Sequence, residues 1–369
     1  MAALDIRQLL GLAVREGASD VHITVGAPPF FRVNGGLVPL RNVDEGGLAP
    51  CLPIDSSADE EVKALSIEEV ELLVEELTGE ERMEQFRRTG ECDFAYGVPG
   101  LGRFRVNCFR QRGSPALAIR VLSAKILSIE ELGLPDAVAG LARRPSGLVI
   151  VTGPAGSGKS TTLAAMVDLI NRERCCHVIT LENPIEYLHS HHCSIVNQRE
   201  IGDDSGNFAG ALRAALREDP DVILVGEMPD VETAAITLTA AETGHLVLAA
   251  MHTPNAALTI ERLVDLFPPH HEGRVRMQLS RVLQGIISQQ LFPRTDKKGR
   301  VAAVEVLVST PAVQNLIREG KTYQIPSLIQ TGTRHGMQSF AQSLKKLHSA
   351  GLITHEELVL HVHDTELLR

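Results

Sequence analysis

The chain has 369 residues, enough for two or three domains at about 100–200 residues each. With 44% hydrophobic and 22% charged residues it is neither a mostly disordered chain nor a collagen-like or coiled-coil rod. A net charge of −10, from 46 acidic and 36 basic residues, argues against a general nucleic-acid binder, so no nucleic-acid partner is expected.

The first third reads as a small mixed domain. Ile6, Leu9, Leu10, Ala13 and Val14 recur at helical spacing behind an N-capping Asp5. Val21–Val25 and Phe30–Val33 read as strands, with a turn at Asn34, Gly35 and Gly36. Residues 41–65 carry glycines, prolines and acids without periodicity and predict a long mobile loop. Ser66 and Glu69 form a capping box before a helix with Ile67, Val70, Leu73, Val74 and Leu77 on its apolar face. Two strands follow, Asp93–Gly97 and Arg103–Arg110; in the second, Phe104, Val106 and Cys108 alternate with Arg103, Arg105 and Asn107. Ala116–Leu122, which contains Arg120, predicts another strand. Residues 123–135 predict a linker with a short helix capped by Ser128 and Glu131.

From about Ser146 apolar strands alternate with helices: Leu148–Thr152, Val178–Leu181, Val222–Val225 and Leu246–Met251. Such alternation predicts a parallel sheet covered on both faces. Beyond residue 310 the chain reads as helical, with a capping box at Thr354 and Glu357. No apolar run approaches the ~18 residues of a membrane span, and the N-terminus lacks a signal-peptide layout, so an intracellular protein is expected. The six cysteines include no C-x-x-C pair and are expected to be reduced. Cys175, Cys176, His177, His189, His191, His192 and Cys193 match no common zinc spacing and read as an ordinary loop.

The strongest chemical signal is Gly153-Pro154-Ala155-Gly156-Ser157-Gly158-Lys159-Ser160, a G-x-x-x-x-G-K-[ST] phosphate-binding loop. The apolar strand before it and the helical Thr161-Thr162-Leu163 after it supply the required context. Glycines let main-chain N–H groups close around phosphate at a helix N-terminus. Lys159, one of only eight lysines, would hold the β- and γ-phosphates of ATP, and Ser160 would ligate Mg2+. In Asp221–Glu227 an apolar strand ends in a carboxylate; Gly226 stands where a metal-holding acid is usual, which leaves Glu227 to polarise the attacking water. Glu182 and Glu186 follow the strand Val178–Leu181, where open α/β sheets bind ligands, and are candidates for Mg2+ directly or through water. His245 and His252 bracket Leu246–Met251 as either phosphate sensors or structural histidines. Arg105 and Arg120 lie on neighbouring strands, either to neutralise phosphate charge or to pair with carboxylates.

The order of these motifs, with Ala18–Ile23, Arg103–Asn107, Val196–Glu200, Ala214–Asp219, Ser288–Leu291 and Pro311–Gly320, resembles the secretion and pilus ATPase superfamily, and within it the type IV pilus retraction ATPases. The resemblance implies an α/β protein: a PAS-like α+β domain over residues 1–122, a linker at 123–135, and a RecA-like P-loop NTPase domain over 136–369. Its sheet would be mainly parallel and its C-terminal part helical. It further implies a catalytic Glu227, an acidic box with Glu182 and Glu186, a histidine box with His245 and His252, and phosphate-facing Arg105 and Arg120. It adds Thr161 and His245 to the nucleotide-binding set. ATP and Mg2+ are the implied cofactors. Implied partners are five further copies in a hexameric ring, an inner-membrane pilus platform protein and a paralogous retraction ATPase, at the cytoplasmic face of the inner membrane. Gln314–Glu319 lies in a segment the resemblance ties to retraction rather than hydrolysis. The alternatives are an accessory paralogue with weak ATPase activity, or a pilus assembly or type II secretion ATPase. The absence of a four-cysteine zinc motif speaks against that last branch. Asn183 and Pro229 depart from the family's usual Asp and Arg, and 41–65 is an insertion.

Overall fold

The computed structural model describes residues 5–33, 35–43, 47–50, 64–122, 125–296 and 299–361, and it divides into two compact units, Met1–Lys125 and Ile126–Arg369. In the first unit, α1 (Ile6–Arg15) starts where the Asp5 carboxylate accepts from the Arg7 N–H at 2.8 Å. It is followed by β1 (Asp20–Thr24), β2 (Phe30–Val33), β3 (Gly36–Val43) and β4 (Gly47–Pro50). Then come α2 (Ile67–Thr89), β5 (Glu91–Val98), β6 (Gly102–Gln111) and β7 (Ser114–Val121). The seven strands form one antiparallel sheet, ordered β4-β3-β2-β1-β7-β6-β5. Leu9, Val21, Phe31, Val70, Phe86, Phe104 and Ile119 meet in its core. Alternation fixes which face of β6 they see: Phe104, Val106 and Cys108 are buried, and burial pushes the Cys108 thiol up to about 12.

Two expectations for this unit need correction. Residues 41–43 and 47–50 are strand rather than loop, because the chain turns back and pairs Val43 with Gly47 through to Leu40 with Pro50. Leu65 is also ordered: its N–H and C=O bond to Ala27 and Gly26, and its side chain enters the core. Asn34, 44–46 and 51–63 lie outside the described residues. The capping box at Ser66 and Glu69 is present, and α2 bends at Gly79, whose φ of +66° favours glycine. Ile67 and Val14, expected on apolar faces, are partly exposed.

The second unit begins with α3 (Asp136–Ala142). It continues with β8 (Gly147–Thr152), α4 (Lys159–Glu173), β9 (His177–Glu182), β10 (Ile195–Glu200), α5 (Phe208–Ala215) and β11 (Val222–Val225). Then come α6 (Val231–Glu242), β12 (Leu246–Met251), α7 (Ala256–Asp265), α8 (Glu272–Val282), β13 (Leu283–Pro293) and β14 (Arg300–Val308). Four helices end the unit: α9 (Pro311–Arg318), α10 (Ile325–Thr331), α11 (Phe340–Ser349) and α12 (His355–His361). The sheet runs β10-β9-β11-β12-β8-β13-β14, parallel throughout except for the β13–β14 hairpin. Its central strands β8, β11 and β12 are buried along their whole length, as a sheet covered on both faces demands.

Here too the structure corrects the expectation. Residues 195–200, 283–293 and 300–308 are strands beyond those expected; only in 300–308 does the sequence carry a nearly continuous apolar run. Ser128 and Glu131 make the reciprocal bonds of a capping box, yet only one turn forms, because Gly133 at φ +67° and then Pro135 end it. At Thr354 only the hydroxyl half of the box is seen, accepting from the Glu357 N–H. No described helix is long and apolar enough to cross a membrane.

Candidate functional site

β8 ends at Thr152, and residues 153–158 turn tightly into α4, whose first residue is Lys159. Gly153, Gly156 and Gly158 have φ of +149°, +74° and +90°, conformations open to glycine. Gly158 caps α4 without a side chain, so the main-chain N–H groups of the first turn face out of the helix end. Pro154, Ala155 and Gly156 are exposed, whereas Ser157 and Lys159 are buried. The Lys159 ammonium donates to the Gly153 and Pro154 carbonyls at 2.9 Å each. Burial lowers its pKa, opposed by the carboxylates of Glu186 and Glu227. Ser157 Oγ is buried without a hydrogen-bond partner. A concave loop of N–H donors, one lysine and an unpartnered hydroxyl is chemically suited to phosphate oxygens.

The parallel register sets the acids beside this loop. Met251 pairs with Thr152, and Val225 pairs with Leu181, so His252, Glu227 and Glu182 all emerge at the carboxyl end of the sheet. His252 Nε2 lies 3.9 Å from Glu227 Oε1, and both side chains are about half exposed. Glu182 Oε1 accepts from Thr180 Oγ1 at 2.6 Å and Gln198 Nε2 at 3.2 Å. Glu186 follows on the loop after β9. That loop is held by the Ile185 N–H donating to Glu200 Oε2, by Tyr187 Oη against Thr161 Oγ1 at 2.8 Å, and by Gln198 Nε2 donating to the Tyr187 carbonyl. The Tyr187 contact places Thr161 beside the acid loop. Gly226 is glycine for a steric reason: its N–H donates to the Leu181 carbonyl, and a Cβ there would stand 3.0 Å from that oxygen and 3.2 Å from Glu182 Cα. A side chain at this position would need that neighbouring main chain to give by a few tenths of an ångström.

Within the second unit one expected residue, His245, is not brought to the loop, and two others, Arg105 and Arg120, belong to the first unit. His245 precedes β12, at the opposite end of the sheet; its Nδ1 lies 2.9 Å from the Ala240 carbonyl and its own carbonyl accepts from Gly147. Arg105 and Arg120 face each other in the first unit's β6–β7 ladder. Arg105 makes a two-pronged pair with Asp93, at 3.2 and 2.6 Å, and Arg120 pairs with Asp20 at 3.1 Å. Both guanidinium groups are thus paired with carboxylates in this structure.

Other polar residues support the site and were not expected there. Thr152 Oγ1 accepts from the Thr253 N–H at 2.9 Å, tying the strand of the phosphate loop to the strand of His252. Glu305 on β14 accepts from the Ala256 N–H at the start of α7, and burial raises its pKa. Gln289 on β13 bonds to Ser157 and Thr162. Buried glutamine, threonine and glutamate within apolar strands were the available signal, because each needs a polar partner. Among the described residues no group of three or more His, Cys, Asp and Glu could hold a metal, which includes the described cysteines and histidines of 175–193.

Residues 3–360 match the family model described as type II/IV secretion system protein. The chain is 45% identical to the type IV pilus retractation ATPase PilT of Pseudomonas aeruginosa over 353 residues, 96% of each chain. It is 48% identical to a twitching motility protein of Neisseria gonorrhoeae over 292 residues, 79% of this chain and 78% of the relative. Among solved structures it superposes on the pilus retraction motor PilT with bound ADP at a TM-score of 0.86 and 46% identity, covering 98% of both chains.

Proposed function

The chain belongs to the type II/IV secretion system protein family, and from this we propose that it is a P-loop ATPase that powers type IV pilus retraction. The observation that carries the reading is the meeting of the phosphate loop, Lys159, Glu227 and His252 at one end of a parallel sheet. In this reading the loop N–H groups and Lys159 bind the β- and γ-phosphates, and Ser157 and Thr161 complete the cradle. Glu227 orients the attacking water and takes its proton, a role worth about 10²–10⁴-fold. His252, beside Glu227, contacts the γ-phosphate side of the site.

The donor set also fits Mg2+: the Ser160 hydroxyl and the Glu182 and Glu186 carboxylates are hard oxygen ligands. Among the described residues no group of three His, Cys, Asp or Glu gathers there, so they would hold the ion largely through waters and nucleotide phosphates, and the ion would offset phosphate charge. Glu182, anchored by Thr180 and Gln198, would act through a bridging water. Arg105 and Arg120 would exchange their carboxylates for phosphate oxygens. The working form is a hexameric ring at the cytoplasmic face of the inner membrane, docked on a platform protein. Lys159, Ser160 and Glu227 are all retained, which favours the motor over an accessory paralogue with weak ATPase activity.

Steady-state phosphate release by the purified protein, compared with Glu227→Gln, tests the enzyme. Equal rates would overturn it. Deleting the gene tests direction: excess surface pili with loss of twitching supports retraction, and bald cells refute it.

A further inference from the structure

We propose that Gln289 is a positioning residue of the nucleotide site, clamping both ends of the segment that carries Lys159 and Ser160. The inference rests on the P-loop ATPase reading above and adds a residue from a distant strand to it.

The sheet register puts Gln289 there. β13 runs parallel to β8, with Ile287 opposite Val151 and Ser288 opposite Thr152. The next residue of β13 therefore meets the chain where β8 gives way to the phosphate loop. Gln289 is 4% exposed, and both ends of its amide are engaged. Nε2 donates to the Ser157 carbonyl at 2.6 Å, and Oε1 accepts from Thr162 Oγ1 at 2.7 Å. Ser157 and Thr162 bracket Gly158, Lys159, Ser160 and Thr161. One side chain thus fixes the entry and the first turn of α4 together.

The bond to Ser157 has a directional consequence. In a trans peptide the C=O and the following N–H point opposite ways. Tying the Ser157 carbonyl to β13 aims the Gly158 N–H away from β13. Without that bond the 157–158 peptide can rotate, and a carbonyl can replace an N–H on the side that receives an anion. Gln289 also explains two of the loop glycines. A Cβ at Gly153 would run into the Gln289 carbonyl, and a Cβ at Gly158 would stand 2.7 Å from Gln289 Nε2. The loop thus packs closely on this residue, against its main chain at Gly153 and against the end of its side chain at Gly158.

A buried amide also stabilises the fold, so the test needs a readout beyond stability. ADP affinity is measured by calorimetry on the full chain for wild type, Q289M and K159A, with ATP kinetics and thermal melts alongside. Q289M keeps the side-chain length and removes both hydrogen bonds. It is expected to weaken ADP binding by about tenfold or more, and to raise KM for ATP by a larger factor than it lowers kcat. A folded Q289M that binds ADP like wild type overturns the proposal.

Should Q289M not fold, Q289E decides. Its carboxyl donates to Ser157 only when protonated, so its ADP affinity relative to wild type should improve as pH falls. A ratio that does not change with pH overturns the proposal. Failure of the underlying reading looks different: wild type would not bind ADP, or K159A would bind as well as wild type, and the inference about Gln289 would fall with it.

Discussion

His252 and Glu227 end neighbouring parallel strands, and their Nε2 and Oε1 atoms stand 3.9 Å apart. A contact so exposed contributes at most about 1 kcal/mol, so stability does not account for the arrangement. His252→Ala should leave the melting temperature within about a degree or two and lower kcat by about tenfold or more. Glu227→Gln should lower it further. Nucleotide binding should persist in both variants. A His252→Ala enzyme with full turnover would remove the histidine from the proposed chemistry.

The close packing at Gly226, just beyond the end of β11, supports a second prediction. A side chain here comes close to the Leu181 carbonyl and Glu182 Cα, both main-chain atoms that would have to shift by a few tenths of an ångström. Gly226→Asp should destabilise the protein by about 1–3 kcal/mol and should not raise turnover, although it adds a carboxylate near the proposed ion. Urea unfolding together with ATPase rates checks both halves. A more stable or faster variant would show that the β9–β11 contact is not the reason for glycine.

How much the sequence reveals follows from how each residue is held. The loop 153–160 and the buried strands β8, β11 and β12 are legible because their signals are local: a glycine pattern, and apolar runs of strand length. β13 is not, because Ser288, Gln289 and Gln290 break its apolar run, and Gln289 is polar in order to grip a loop more than 120 residues away in sequence. β10 is an edge strand whose Gln198 and Glu200 point to the β9 loop, which again erases the hydrophobic pattern. His245 shows the opposite error. Its proximity to a motif suggested the site, but one strand of six residues separates it from His252. At about 3.3 Å per residue that strand spans some 20 Å.

Arg105 and Arg120 yield a third prediction. Both pairs with Asp93 and Asp20 are largely solvent-exposed on the arginine side. Removing either guanidinium should therefore cost at most about 1 kcal/mol in unfolding free energy. If these groups neutralise phosphate charge during turnover, Arg105→Ala and Arg120→Ala should each lower kcat by an order of magnitude or more while barely moving the melt. Unchanged kcat in both would leave the carboxylate pairs as their whole role.

His189 gives the pH dependence. It lies in the loop after β9, where its N–H donates to Gln198 Oε1. Burial lowers its pKa from 6.5 to about 4, only partly opposed by Asp168, and Nδ1 has no hydrogen-bond partner. The folded protein therefore favours the neutral ring more than the unfolded chain does. Between these two pKa values the unfolded chain binds more protons, so stability falls as pH is lowered through that window. Above 6.5 both states are neutral and the penalty vanishes. Below about 4 both are protonated and the loss is complete, at most about 3 kcal/mol from this group. His189→Gln removes the titration and should flatten the decline of melting temperature across that window relative to wild type. Parallel declines in the two proteins would assign the acid sensitivity to other groups.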